Sequence, residues 1–132
     1  VEDAMKKIVF LLFLMLFYAT TAMAGEKTLQ FTWDQDVPSD MGGWKLYQSI
    51  SPMTDCKIDG TEVMNIVYTG QTEYQATHQL TSPDGQTATY YWRLTAYDTS
   101  ANESDCSNEV SKAIDFETPG IPFSLDVVII AQ

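Results

Sequence analysis

Apolar and polar residues alternate with a period of two through most of the chain, and the alternation breaks at clusters of turn-forming residues. Residues 28–34, TLQFTWD, set Leu29, Phe31 and Trp33 on one face and Thr28, Gln30 and Thr32 on the other. Residues 42–49, GGWKLYQS, set Trp44 and Leu46 against Lys45 and Tyr47. Residues 62–70 are β-rich but less regular. In residues 72–80, Tyr74, Ala76, His78 and Leu80 share a side, and the turn SPDG (82–85) follows. The clearest run comes next, with Tyr90, Trp92, Leu94 and Ala96 facing one way and Tyr91, Arg93, Thr95 and Tyr97 the other. After the polar loop DTSANESD, residues 107–116 supply the last strand, with Val110 and either Ile114 or Phe116 inward. No stretch beyond residue 24 has a helical period. Strands with one large-residue face each predict an all-β two-sheet sandwich whose inner faces form the core. Trp33, Trp44 and Trp92 all fall on predicted inner faces.

The three segments LQFTWD, GGWKLYQS and YYWRLTAYDTSANES..SNEVS, in that order, resemble the fibronectin type III domain as it occurs in secreted bacterial and phage proteins. Trp33 matches the family's second-strand tryptophan, and Trp44 with Leu46 matches its third-strand aromatic and aliphatic pair. Tyr90 stands where the family has its corner tyrosine. The resemblance covers about residues 28–116. It departs from the family at two longer intervals, from Leu80 to Tyr90, where an enlarged loop is expected, and from Pro52 to Gly60, which carries Cys56. The resemblance implies an immunoglobulin-like sandwich of the fibronectin type III kind that serves as a binding or spacer module, and it names no partner.

Ahead of the sandwich, residues 5–24 read MKKIVFLLFLMLFYATTAMA. Two lysines, an apolar stretch over residues 8–18 and a small-residue end at Ala22-Met23-Ala24 are the layout of a cleavable secretory signal peptide. The apolar core is shorter than the roughly 20 residues that span a bilayer. Cleavage is expected after Ala24, with residues 1–4 read as an upstream extension and residues 25–118 as the domain. The expected location is therefore secreted, extracellular or periplasmic, with no membrane association after cleavage. Net charge is −11 for the whole chain and does not change on cleavage, because Glu2, Asp3, Lys6 and Lys7 leave together. Such a surface repels phosphate backbones and argues against nucleic acid.

Chemistry-bearing patterns are few. His78 is the only histidine and lies on a predicted strand with no motif placing a nucleophile or metal ligands beside it, so no enzyme is expected. Asp34, Asp36 and Asp40 in DQDVPSDMGG, and the loop DTSANESD, are oxygen-rich. Calcium is the one cofactor they suggest, but ordinary turns, in which Asp, Asn and Ser bond their own backbone, are the expectation. Lys45, Tyr47, Tyr91, Arg93 and Tyr97 share an outward face that suits a protein or carbohydrate surface; the plain alternative is cross-strand pairing on an exposed sheet. Cys56 and Cys106 form a candidate disulfide. Export favours the bond, whereas the strand layout implied by the resemblance puts them near opposite poles, so the segment around Cys56 would have to fold back.

The two ends raise a further expectation. Type III domains begin with a strand ahead of the LxW strand, yet only three residues separate the cleavage site from Thr28. The far end, residues 119–132, has a Pro/Gly-rich connector and then Phe123, Leu125, Val127 and Ile129 at alternate positions, like the entry and first strand of a following domain. This tail has three fates: packing on its own domain in reverse direction, disorder, or donation head to tail to another molecule. Two functions follow, a non-catalytic binding, adhesion or spacer module, and a structural subunit that assembles by donating its C-terminal strand.

Overall fold

The computed structural model describes residues 25–82 and 86–131. The expected signal segment, the upstream extension and most of the SPDG turn lie outside the described residues. Strand β1 (Gly25–Thr32) pairs antiparallel with β4 (Gln75–Ser82) in a two-stranded sheet. Strands β2 (Met41–Ser49), β3 (Thr61–Val67), β5 (Ala88–Asp98) and β6 (Val110–Ile114) form a second antiparallel sheet in the order β3-β2-β5-β6.

The two sheets pack through the alternating apolar faces. Leu46, Leu80, Trp92, Ile114 and Phe116 are the buried cluster, with Leu29, Phe31, Tyr90 and Leu94 against it. Phe31 meets Trp92 edge-on with ring centroids 5.3 Å apart, and Trp33 meets Trp44 in the same way at 5.3 Å. Trp44 and Trp92 are fully buried while Trp33 is half-buried. Burying each such ring contributes about 2–3 kcal/mol. The result is an all-β, immunoglobulin-like sandwich.

Several strand boundaries differ from the sequence reading, among them β3, which ends at Val67, and β4, which runs from Gln75 to Ser82. β1 starts at Gly25, because its ladder with β4 runs from Gly25↔Ser82 to Thr32↔Gln75 although Glu26, Lys27 and Thr28 are exposed. Between Leu80 and Tyr90, where an enlarged loop is expected, β4 reaches Ser82 and β5 begins at Ala88, so strand takes residues 81–82 and 88–89 of the interval. β6 is shorter than expected because residues 103–109 run irregularly along β5, with Ser104 N–H donating to Ala96 O and Ser107 N–H to Leu94 O, both at 2.8 Å.

The segment 50–60 folds back over the outer face of the larger sheet. It carries helix α1 (Cys56–Asp59), whose N-cap Asp55 accepts from the Lys57 N–H at 3.0 Å. Cys56 and Cys106 are joined in a disulfide with Cα atoms 6.2 Å apart, within bonding range. The fold-back resolves the distance between poles, aided by residues 103–109 returning down the edge of β5. None of the described helices is long and apolar enough to cross a membrane.

At the other end, β1 begins where β6 finishes. A Cβ placed on Gly25 would lie 2.7 Å from Phe116 Cδ1, so glycine there admits the buried Phe116 ring. Beyond Phe116 the chain leaves this pole, and none of residues 115–131 forms a strand.

Candidate functional site

The structure brings Lys45, Tyr47, Tyr91, Arg93 and Tyr97 together on the outer face of β2 and β5, because residues paired across these strands share a side. It does not leave that face open. Met53 and Cys56 from the fold-back segment lie on Tyr47, with Tyr91 and Cys106 around them, as a second apolar cluster. Tyr47 is only 7% exposed, so its ring is unavailable to a partner. β2 is thereby buried on both faces at its middle.

The polar ends of four of the five side chains, Tyr47, Arg93, Tyr97 and Lys45, are engaged within the domain. The Tyr47 hydroxyl is held by Glu103, and burial followed by that carboxylate raises its pKa far above the usual phenol range. Burial alone would raise the Glu103 carboxyl, but hydrogen bonds from Thr95 and Tyr47 and the charges of Lys45 and Lys57 outweigh it and hold the pKa below its ordinary value. Arg93 Nη1 donates to Ser107 O at 2.8 Å, and its Nε stands 3.4 Å from Glu109 Oε2. The same Glu109 oxygen accepts from the Met53 N–H at 2.7 Å, tying the fold-back segment to the sheet. Tyr97 donates to Asn65 Oδ1 at 2.6 Å, and the Lys45 ammonium lies 5.7 Å from the centre of the Tyr97 ring. Tyr91, Arg93, Tyr97 and Lys45 keep partial exposure.

His78 is half-buried on β4 opposite Leu29, and burial lowers its pKa. Asp98 accepts the N–H groups of Ser100 and Asn102 on one oxygen and Asn102 Nδ2 on the other, closing the DTSANESD loop on itself. In the other oxygen-rich loop, the backbone carbonyl of Asp40 accepts from Thr99 N–H at 2.9 Å. Among the described residues, the one group of His, Cys, Asp and Glu side chains close enough to share an ion is Asp55, Cys56 and Cys106. Its two sulfurs are already bonded to each other.

The open feature of the molecule lies on the opposite side. Among the described residues β1 has one ladder partner, β4, and its other edge borders a groove of about 480 Å³. Leu29, Phe31, Trp92, Val110, Ser111 and Lys112 line it. Leu29 and Phe31 belong to the inner face yet are only half-buried, and Val110 is 46% exposed. The tail is the second open feature. Phe123, Leu125, Val127 and Ile129 are 91, 98, 90 and 77% exposed.

No family model, curated protein or solved structure matches the chain.

The groove-lining residues Val110 and Leu29 were visible in the sequence only as inward positions of strands; nothing in the alternation shows that the layer above them is incomplete. Glu103 carries no signal at all, being one acid in a polar loop. Met53 had a weak one, as an apolar residue in a turn-rich segment next to Cys56.

Proposed function

We propose that this chain is an exported, non-catalytic sandwich of the fibronectin type III kind that serves as an assembly or binding module, with its contact made by the C-terminal tail. The order β3-β2-β5-β6 facing β1-β4 supports a type III module, with no opening strand among the described residues. The Cys56–Cys106 bond supports export, since such bonds persist in oxidising compartments. The N-terminal pattern of residues 5–24 supports the same route.

The observation that carries the reading is the tail itself. Ile121, Phe123, Leu125, Val127, Val128, Ile129 and Ile130 are all between 72 and 98% exposed. An apolar run of this length in water associates with something, since its solvation is unfavourable and its β propensity is high. The covered face of the larger sheet is the weaker candidate. Its second reading, a protein or carbohydrate contact at the rim, rests on the partial exposure of Tyr91 and Tyr97.

The test is mass in solution across a concentration series, for the chain purified after export and for the same chain ending at Thr118. Growth of mass with concentration in the longer chain alone is the expected result. Concentration-independent monomers in both overturn the reading. Loss of a glycan or protein ligand in Tyr97→Ala, with mass unchanged, would instead favour the rim.

A further inference from the structure

We propose that the open side of the sandwich, between β1 and β6, is a strand-acceptor groove, and that its occupant is the tail of a second copy of this chain. The inference rests on the tail-contact reading above and adds the surface and the partner.

The acceptor is incomplete in two ways that one strand completes. The outer edge of β1 carries backbone N–H and C=O groups with no ladder partner among the described residues, the arrangement that captures an added strand. Beneath that edge the core lacks a row of side chains. Trp92 forms part of the lining, Leu29 and Phe31 stay half-buried, and Val110 stands 46% exposed on the β6 side. A strand laid along β1 with its apolar residues inward would cover Leu29, Phe31 and Val110 and close the groove over Trp92, itself already buried.

The tail has the matching form. Phe123, Leu125, Val127 and Ile129 fall at alternate positions, so in an extended chain they share one face, with Ser124, Asp126, Val128 and Ile130 on the other. Residues 123–130 equal in number the eight residues of β1, and eight extended residues reach about 26 Å. Ser124 stands at φ 59° in the unpaired tail, a region unfavourable for a residue other than glycine. Straightening into a strand relieves it.

Direction selects the second copy. The chain leaves Phe116 at the pole where β1 begins. Turned back into its own groove, the tail would run parallel to β1, the less stable pairing. A tail arriving from a neighbour stacked on the far pole, near Thr32, runs antiparallel to β1, as β4 does on the other side. Pro122 biases Ile121 toward extended backbone, which suits a connector that continues outward.

Direction is also what the experiment reads. Two copies of different mass tag, one Ser124→Cys and one Thr32→Cys, are mixed and oxidised; a Ser124→Cys with Glu26→Cys mixture is the control, and a chain carrying both Ser124→Cys and Glu26→Cys is oxidised at high dilution. A covalent dimer of unlike copies through positions 124 and 32, with little through 124 and 26, is the expected result. In parallel, Val110→Glu places a charge in the groove wall and should raise the concentration needed for association at least ~10-fold without loss of fold by circular dichroism. If the full chain associates through its tail but Val110→Glu changes nothing and the 124–32 dimer is absent, the tail meets another surface; the groove is then overturned while the tail-contact reading stands. If the bond at 124 and 26 forms within one diluted chain, the tail lies in its own groove and donation between copies is overturned. If the full chain stays monomeric throughout, the underlying reading fails with it.

Discussion

The Tyr47 hydroxyl donates to Glu103 Oε1 at 2.6 Å, and the Thr95 hydroxyl donates to the same oxygen at 2.6 Å. One carboxylate thus fastens the returning segment after β5 to the centres of β2 and β5. Tyr47→Phe removes one of two donors to a charged acceptor and should lower stability by about 1.5–3 kcal/mol. Glu103→Ala should cost more, because it leaves two hydroxyls without their acceptor. Urea unfolding of the two variants gives the order.

Acid should destabilise the domain in two separable steps. The fold lowers the His78 pKa by burial, so it favours the neutral ring. Stability from this group is complete above its ordinary value of 6.5 and is lost as pH falls below it. The fold also lowers the Glu103 pKa, so it favours the carboxylate. That contribution is complete above the ordinary 4.5 and is lost as pH falls further, through the folded value. His78→Gln should therefore flatten the upper part of a melting-temperature profile, and Glu103→Gln the lower part. A profile that His78→Gln leaves unchanged between pH 6.5 and 5 would count against the first assignment.

The disulfide closes a sequence separation of 50 residues, which corresponds to about 4 kcal/mol of loop-closure stabilisation. Replacing both Cys56 and Cys106 by Ser should lower unfolding stability by about that amount. It should also increase Met53 and Tyr91 exposure, since the cluster on Tyr47 loses its staple. Denaturation and hydrogen exchange of the double variant check both effects.

The alternation of apolar and polar residues was enough to read the sandwich, the inward tryptophans and the outward five-residue face. It specifies which side of a sheet a residue occupies, but not what lies above it. The cover on Tyr47 comes from residues 50–60, which have no period, and the bond from Cys56 to Cys106 depends on how that aperiodic segment folds back. The early start of β1 was hidden for a related reason: Glu26, Lys27 and Thr28 are held by backbone pairing, to which side-chain polarity is blind. The tail was legible as a strand-like run, and the short stretch ahead of Thr28 pointed to a missing first strand, whereas the residues that line the gap between β1 and β6 depend on two distant edges and on no local pattern.

Ending the chain at Thr118 should leave the melting temperature of the monomer within about 1 °C of the full chain, because the deleted apolar residues bury little of their surface in one copy. Calorimetry at low concentration measures it. A large loss would mean that the tail packs on its own domain.

Added salt should strengthen association. Each copy carries a net charge of −11, so approach of two copies is opposed by like-charge repulsion that is screened within about 8–10 Å at physiological ionic strength. Sedimentation at 20 and 300 mM sodium chloride should show the larger mass at the higher salt.

The chain leaves the sandwich at the pole where β1 begins, so under the proposed donation giving and receiving fall at opposite ends of the molecule. An array built this way has no equivalent ends: one terminates in an empty groove and the other in an unhoused tail. A copy cut at Thr118 can still receive but cannot give. It would act as a terminator at a single end, and small amounts of it would set the length distribution of the whole population.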